Sequence, residues 1–83
     1  MLNYKQYLNG NFVDESALLI SPRDLGYSRG YGVFEYIRTY KGRPFKLKEH
    51  IDRLLKSTKL IELKHNFSYK QIEKVINKLI ELN

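Results

Sequence analysis

The apolar pattern of this chain changes period near Leu47, and that change constrains the fold more than any other feature. Before it, apolar residues come in short alternating runs bounded by turn dipeptides. After it, they recur at spacings of three and four. A period of two belongs to strands and one of 3.6 to helices. Strands followed by helices define an α+β domain, here a small antiparallel sheet with two helices packed on one face.

Tyr4 to Leu8 reads as a strand, Asn9-Gly10 as a two-residue hairpin turn whose residues tolerate positive φ, and Asn11 to Asp14 as the returning strand. Ser16 to Ile20 is a short apolar stretch suited to a strand or edge segment. Ser21-Pro22-Arg23-Asp24 is turn chemistry. Leu25 to Gly32 carries three glycines and reads as a tightly bent, exposed loop. Val33 to Tyr40 is β-branched and aromatic, a strand with Val33, Glu35, Ile37 and Thr39 on one face and Phe34, Tyr36, Arg38 and Tyr40 on the other. Lys41-Gly42 turns the chain again into Arg43 to Leu47, which Pro44 confines to an edge. Ile51, Leu54, Leu55, Thr58 and Ile61 form the apolar stripe of a first helix. Ser68 with Gln71 makes a capping box for a second, whose stripe is Ile72, Val75, Ile76, Leu79 and Ile80.

The chain is 83 residues long, one domain's worth, residues 1–83. A domain of that size buries only about 60–65% of its unfolded surface. Its core is expected to be thin, with a partner domain or subunit helping it fold. Cysteine is absent and there are two histidines, so neither disulfides nor a histidine-rich metal cluster is expected. Met1 to Asn11 has no apolar core of a targeting signal and no run approaches a membrane span, which makes the cytoplasm the expected compartment and a membrane partner unexpected. The net charge of +6, from 15 Lys+Arg against 9 Asp+Glu, permits an anionic partner. The lysines are scattered among acidic residues, however, and read as a solvated surface.

The usual catalytic signatures (GxSxG, the P-loop lysine motif, HExxH) do not occur, and Gly26, Gly30 and Gly32 lack dinucleotide-fold spacing. Two features stand out. Phe34, Tyr36, Arg38 and Tyr40 share a strand face that could line an apolar pocket with one carboxylate anchor. The plainer reading is a core strand with a snorkelling arginine. His50 and Arg53, three apart on a helix, place a guanidinium suited to phosphate beside the apolar stripe. The plainer reading there is a surface pair between Arg53 and Glu49, with His50 packed or capping. On pattern alone the plainer reading is preferred in both cases.

The order and spacing of the motifs add to this. Arg29-Gly30-Tyr31-Gly32-Val33-Phe34-Glu35-Tyr36-Ile37-Arg38-Thr39-Tyr40, then Gly42-Arg43-Pro44-Phe45, then Glu49-His50-Ile51-Asp52-Arg53-Leu54 with Ser57 after it, resembles the N-terminal region of class IV (fold type IV) aminotransferases. This family includes branched-chain and D-amino-acid aminotransferases and aminodeoxychorismate lyase. Tyr7-Leu8-Asn9-Gly10 and Asp24-Leu25-Gly26-Tyr27 match its opening, so that the resemblance runs from about Tyr7 to Ile61.

The resemblance implies a pyridoxal-phosphate (PLP) enzyme, branched-chain-aminotransferase-like, that moves an amino group from an amino acid to a 2-oxo acid. It implies that Arg53 binds the cofactor phosphate, that Phe34, Tyr36 and Arg38 shape the substrate pocket, and that the loop at Arg29 and Tyr31 reaches a neighbouring active site in a homodimer. The lysine that carries the cofactor lies in a second, larger domain in this family. The chain is therefore expected to be the N-terminal small domain, without a catalytic residue of its own, lacking the C-terminal catalytic domain and inactive alone. Branched-chain members often have glycine where Tyr36 stands and tyrosine where Arg29 stands. D-amino-acid members usually have tyrosine at the position of Phe34. In the lyase branch a small hydroxyl residue can replace Glu35. The lyase is the nearest alternative. A stand-alone dimerising module, or a basic module stacking RNA bases on the Tyr27 to Tyr31 loop, comes after it, and no nucleic-acid partner is expected.

Overall fold

The computed structural model describes residues 4–83; Met1 to Asn3, which open the stretch read above for a targeting signal, lie outside the described residues. Strands β1 (Lys5–Leu8) and β2 (Asn11–Asp14) pair antiparallel, with Tyr7 opposite Phe12. Asn9 and Gly10 both have positive φ, 48° and 93°, the geometry that a two-residue turn between right-twisted strands demands. The Tyr7 and Phe12 rings meet edge to face at 5.1 Å. A second hairpin follows the same logic. Lys41 and Gly42, at φ 51° and 76°, join β3 (Thr39–Tyr40) to β4 (Arg43–Pro44). The Phe45 N–H donates to the Arg38 carbonyl at 2.8 Å and extends this hairpin by one bond.

The α+β class is as expected, but the strands form two separate two-stranded sheets. Within Val33 to Tyr40 only Thr39 and Tyr40 are laddered. The return strand is cut short by Pro44, which has no N–H to give, and by the helix that begins at Leu47. Residues 33–38 nonetheless keep the expected two faces: Val33, Glu35 and Ile37 are half-buried while Phe34, Tyr36 and Arg38 are exposed. Ser16 to Ile20 forms no strand. Glu15–Ala17 is one turn of 3₁₀ helix, after which Leu18, Leu19 and Ile20 are exposed.

The glycine-bearing segment contains a short helix, α1 (Leu25–Arg29), where a loop was expected. Asp24 caps it by accepting the Tyr27 N–H at 3.2 Å, and Gly30 ends it at φ 69°. These two end signals outweigh the cost of Gly26 inside.

Helix α2 (Leu47–Leu60) turns its apolar stripe inward, with Ile51 only 1% exposed, Thr58 7%, and Leu54 and Leu55 half-buried, while Ile61 lies just past the helix end and is exposed. It closes in a Schellman motif. The Leu63 N–H reaches the Thr58 carbonyl at 2.8 Å, the Glu62 N–H reaches Lys59 at 3.2 Å, and Glu62 takes φ 55°. The Tyr31 hydroxyl lies 3.1 and 3.2 Å from the carbonyls of Ile61 and Glu62, which ties α1's loop to that helix end. Helix α3 (Tyr69–Leu82) starts at the expected capping box. The Gln71 N–H donates to Ser68 Oγ at 3.2 Å, and the Ser68 N–H to Gln71 Oε1 at 2.9 Å. It packs against α2 and β1. The Asn83 side chain reads the β1 edge as a strand would, accepting the Lys5 N–H at 2.7 Å and donating to its carbonyl at 3.1 Å.

Ile51 is the one fully buried apolar side chain among the described residues. The core is as thin as the length required.

Candidate functional site

The site begins with the alternation of residues 33–38. Because Glu35 shares the inward face with Val33 and Ile37, its carboxylate points towards α2. On α2, His50 and Arg53 are three apart and share a face. The three side chains meet. Arg53 donates from Nε to Glu35 Oε2 at 2.8 Å and from Nη2 to Oε1 at 2.7 Å, a bidentate fork. His50 Nδ1 lies 2.6 Å from Glu35 Oε1. The Glu35 side chain is 9% exposed, whereas Arg53 is 67% exposed.

Electrostatics follow from this geometry. The Arg53 fork, with the His50 contact second, holds the Glu35 carboxyl down at about 2, below the usual carboxylate range. Glu35 in turn raises Arg53 further above its ordinary value. An ionised carboxylate at 2.6 Å needs a donor, so His50 carries its proton on Nδ1. Nη2 of Arg53 is 3.5 Å from the same nitrogen. Both atoms are donors, and that approach is not a hydrogen bond.

A guanidinium has five N–H donors. Glu35 takes the Nε–Nη2 edge, which leaves two donors on Nη1 and one on Nη2. Among the described residues no acceptor other than Glu35 meets the Arg53 side chain, and its free edge is open to an anion of fitting geometry. The partner of Arg53 is thus Glu35, 18 residues away, not Glu49. Periodicity reveals the face a residue occupies but not its partner across the fold.

The other candidates occupy the opposite face of the same segment. Phe34 is 85% exposed and Tyr36 75%, with Arg38 beside them. They do not form a closed pocket within this chain, nor do they bury as the core strand of the plainer reading. Arg29 is exposed in the last turn of α1 and makes no side-chain hydrogen bond among the described residues. Glu35 is the site residue that sequence reasoning did not count. Its signal was a carboxylate on the inward face of an alternating apolar segment, which requires a donor to pair with it. An open groove of about 800 Å³ lies elsewhere, between the first hairpin and α3, and holds none of these residues. No three potential metal ligands cluster among the described residues, and no described helix is long and apolar enough to cross a membrane.

Arg53 on α2 is thus tied to an extended segment whose outer face is aromatic and cationic. The chain belongs to the class IV amino-transferase family, whose model matches residues 32–83. It is 40% identical over 79 residues to the D-alanine aminotransferase of Staphylococcus aureus (strain N315), covering 95% of this chain and 28% of that protein. The D-alanine aminotransferase of Staphylococcus haemolyticus is 34% identical over the same length. The aminodeoxychorismate lyase of Bacillus subtilis (strain 168) is 39% identical over 77 residues, 93% of this chain and 26% of the lyase. The chain therefore spans little more than a quarter of the length of these relatives.

Proposed function

We propose that this chain is the N-terminal small domain of a PLP-dependent aminotransferase that moves an amino group from an amino acid to a 2-oxo acid. The observation that carries the reading is the Arg53 fork. Its three uncommitted N–H groups, two on Nη1 and one on Nη2, offer paired donors to phosphate oxygens. Arg53 would hold the cofactor phosphate. When bound, the cofactor supplies the electron sink for the chemistry at the amino acid's α-carbon.

The roles of this chain's residues are binding, orientation and exclusion of water. Phe34 and Tyr36 offer apolar surface to the substrate side chain, and Arg38 a guanidinium to its carboxylate. Arg29, at the end of α1, adds a cation that favours a second carboxylate. The bulk of Tyr36 weighs against branched-chain substrates, and the D-alanine aminotransferase relatives favour a small amino acid. No lysine here has a motif for carrying the cofactor, so catalysis needs the remainder of an intact enzyme. The exposure of Phe34, Tyr36, Leu19 and Tyr27 supports a covering domain and a second subunit.

The test is amino transfer by the intact protein from a panel of D- and L-amino acids to a 2-oxo acid, beside the 83-residue chain alone. Transfer by the first, and none by the second above a PLP-only control, is expected. The lyase relative supports a second reading. Pyruvate release from aminodeoxychorismate without an amino acceptor, and no amino transfer, would favour it.

A further inference from the structure

We infer that Glu35, backed by His50, is a positioning residue that sets the phosphate-binding pose of Arg53. The inference rests on the proposed phosphate role of Arg53 and concerns how that role is achieved.

Arg53 is two-thirds exposed, and a free arginine at such a position samples many rotamers. Here its Nε–Nη2 edge is clamped by two hydrogen bonds of 2.8 and 2.7 Å to a carboxylate that is itself 9% exposed. The carboxylate is fixed in turn by its inward-facing place in the extended segment and by His50 Nδ1 at 2.6 Å. The extended segment 33–38 and α2 are thereby tied to one another through the guanidinium, whose plane and free Nη1–Nη2 edge are set before any anion arrives. A preorganised fork binds more tightly because less freedom is lost on binding.

A carboxylate beside a phosphate site also repels the phosphate. The two effects have opposite signs, so their balance is measurable. If Glu35 acts only as a nearby charge, neutralising it raises phosphate affinity. If it acts by positioning, neutralising it lowers that affinity, because glutamine accepts only one of the two Arg53 donors.

The experiment compares PLP with pyridoxal, which lacks the phosphate, by absorbance titration of the intact apo-protein. The ratio of the two dissociation constants isolates the phosphate contribution from any general loss of folding. Arg53→Ala should collapse the ratio; if it does not, the phosphate reading of Arg53 is wrong. Glu35→Gln should lower it about tenfold with pyridoxal affinity unchanged, and add nothing in the Arg53→Ala background, since coupled residues are non-additive. Glu35→Asp, which keeps the charge but withdraws the carboxylate by one methylene, should lower it as well and serves if the glutamine variant does not fold. A collapsed ratio in Arg53→Ala, with an unchanged or raised ratio in both Glu35 variants, would overturn the positioning role while leaving the phosphate role intact.

Discussion

Thr58 Oγ1 lies 3.2 Å from His65 Nε2, and this contact ties the last buried residue of α2 to the loop that leads into α3. The threonine hydroxyl donates to the Leu55 carbonyl at 2.6 Å, so it must accept from the histidine. That places the His65 proton on Nε2 and leaves Nδ1 free to accept the Phe67 N–H at 3.0 Å. Every polar atom in the chain of bonds has a partner. Thr58→Val keeps the volume but removes the hydroxyl and both of its hydrogen bonds, leaving the exposed His65 donor to water. It should destabilise the protein by about 1–2 kcal/mol, read from the urea midpoint at neutral pH.

Glu35 predicts an acid-sensitive stability. Its folded carboxyl titrates at about 2 against an ordinary 4.5. Between those values the unfolded chain takes up a proton that the folded chain refuses, so stability falls as pH falls. The contribution is complete above about 4.5 and gone once the pH has passed through 2. Denaturant midpoints at pH 6 and pH 3 should differ more in the wild type than in Glu35→Gln, where the titrating group is missing. Equal differences would show that other carboxylates dominate.

Glu62 occupies a left-handed position, φ 55°, that closes the α2 Schellman motif and is ordinarily a glycine's. Its hydrogen-bonding role there is through backbone atoms. Glu62→Gly should relieve the side-chain strain at a smaller cost in unfolded-state entropy, with a net gain of about 0.5–1 kcal/mol. A thermal midpoint that rises checks this; one that falls would mean that the Glu62 side chain has a role its contacts do not reveal.

The Ser68–Gln71 box satisfies two N–H groups at the start of α3. Ser68→Ala leaves the Gln71 N–H without its acceptor and should cost about 1 kcal/mol. Hydrogen exchange should show the first turn of α3 opening faster while the centre of α2 is unchanged.

Much of this architecture was written locally. Asn9-Gly10 and Lys41-Gly42 announce their turns because few residues accept positive φ, and those turns alone define both hairpins. The stripes of α2 and α3 announce their helices, and Ser68 with Gln71 announces where the second begins. The two faces of residues 33–38 were equally legible, since a two-residue alternation survives without a ladder. Helix α1 was less so: Gly26 and Gly30 look like loop residues until Asp24 and Gly30 are recognised as its two ends.

Local chemistry therefore set the turns, the helix stripes, the caps and which side of the chain each candidate residue occupies, because each depends on neighbours within a few positions. The partner of Arg53 depended on how residues 33–38 lie against α2. Glu49 was the available local partner, but the inward-facing Glu35, 18 residues earlier, takes both donors. A carboxylate removed from water needs paired donors more than an exposed one does. Only packing in three dimensions determines which carboxylate is removed from water.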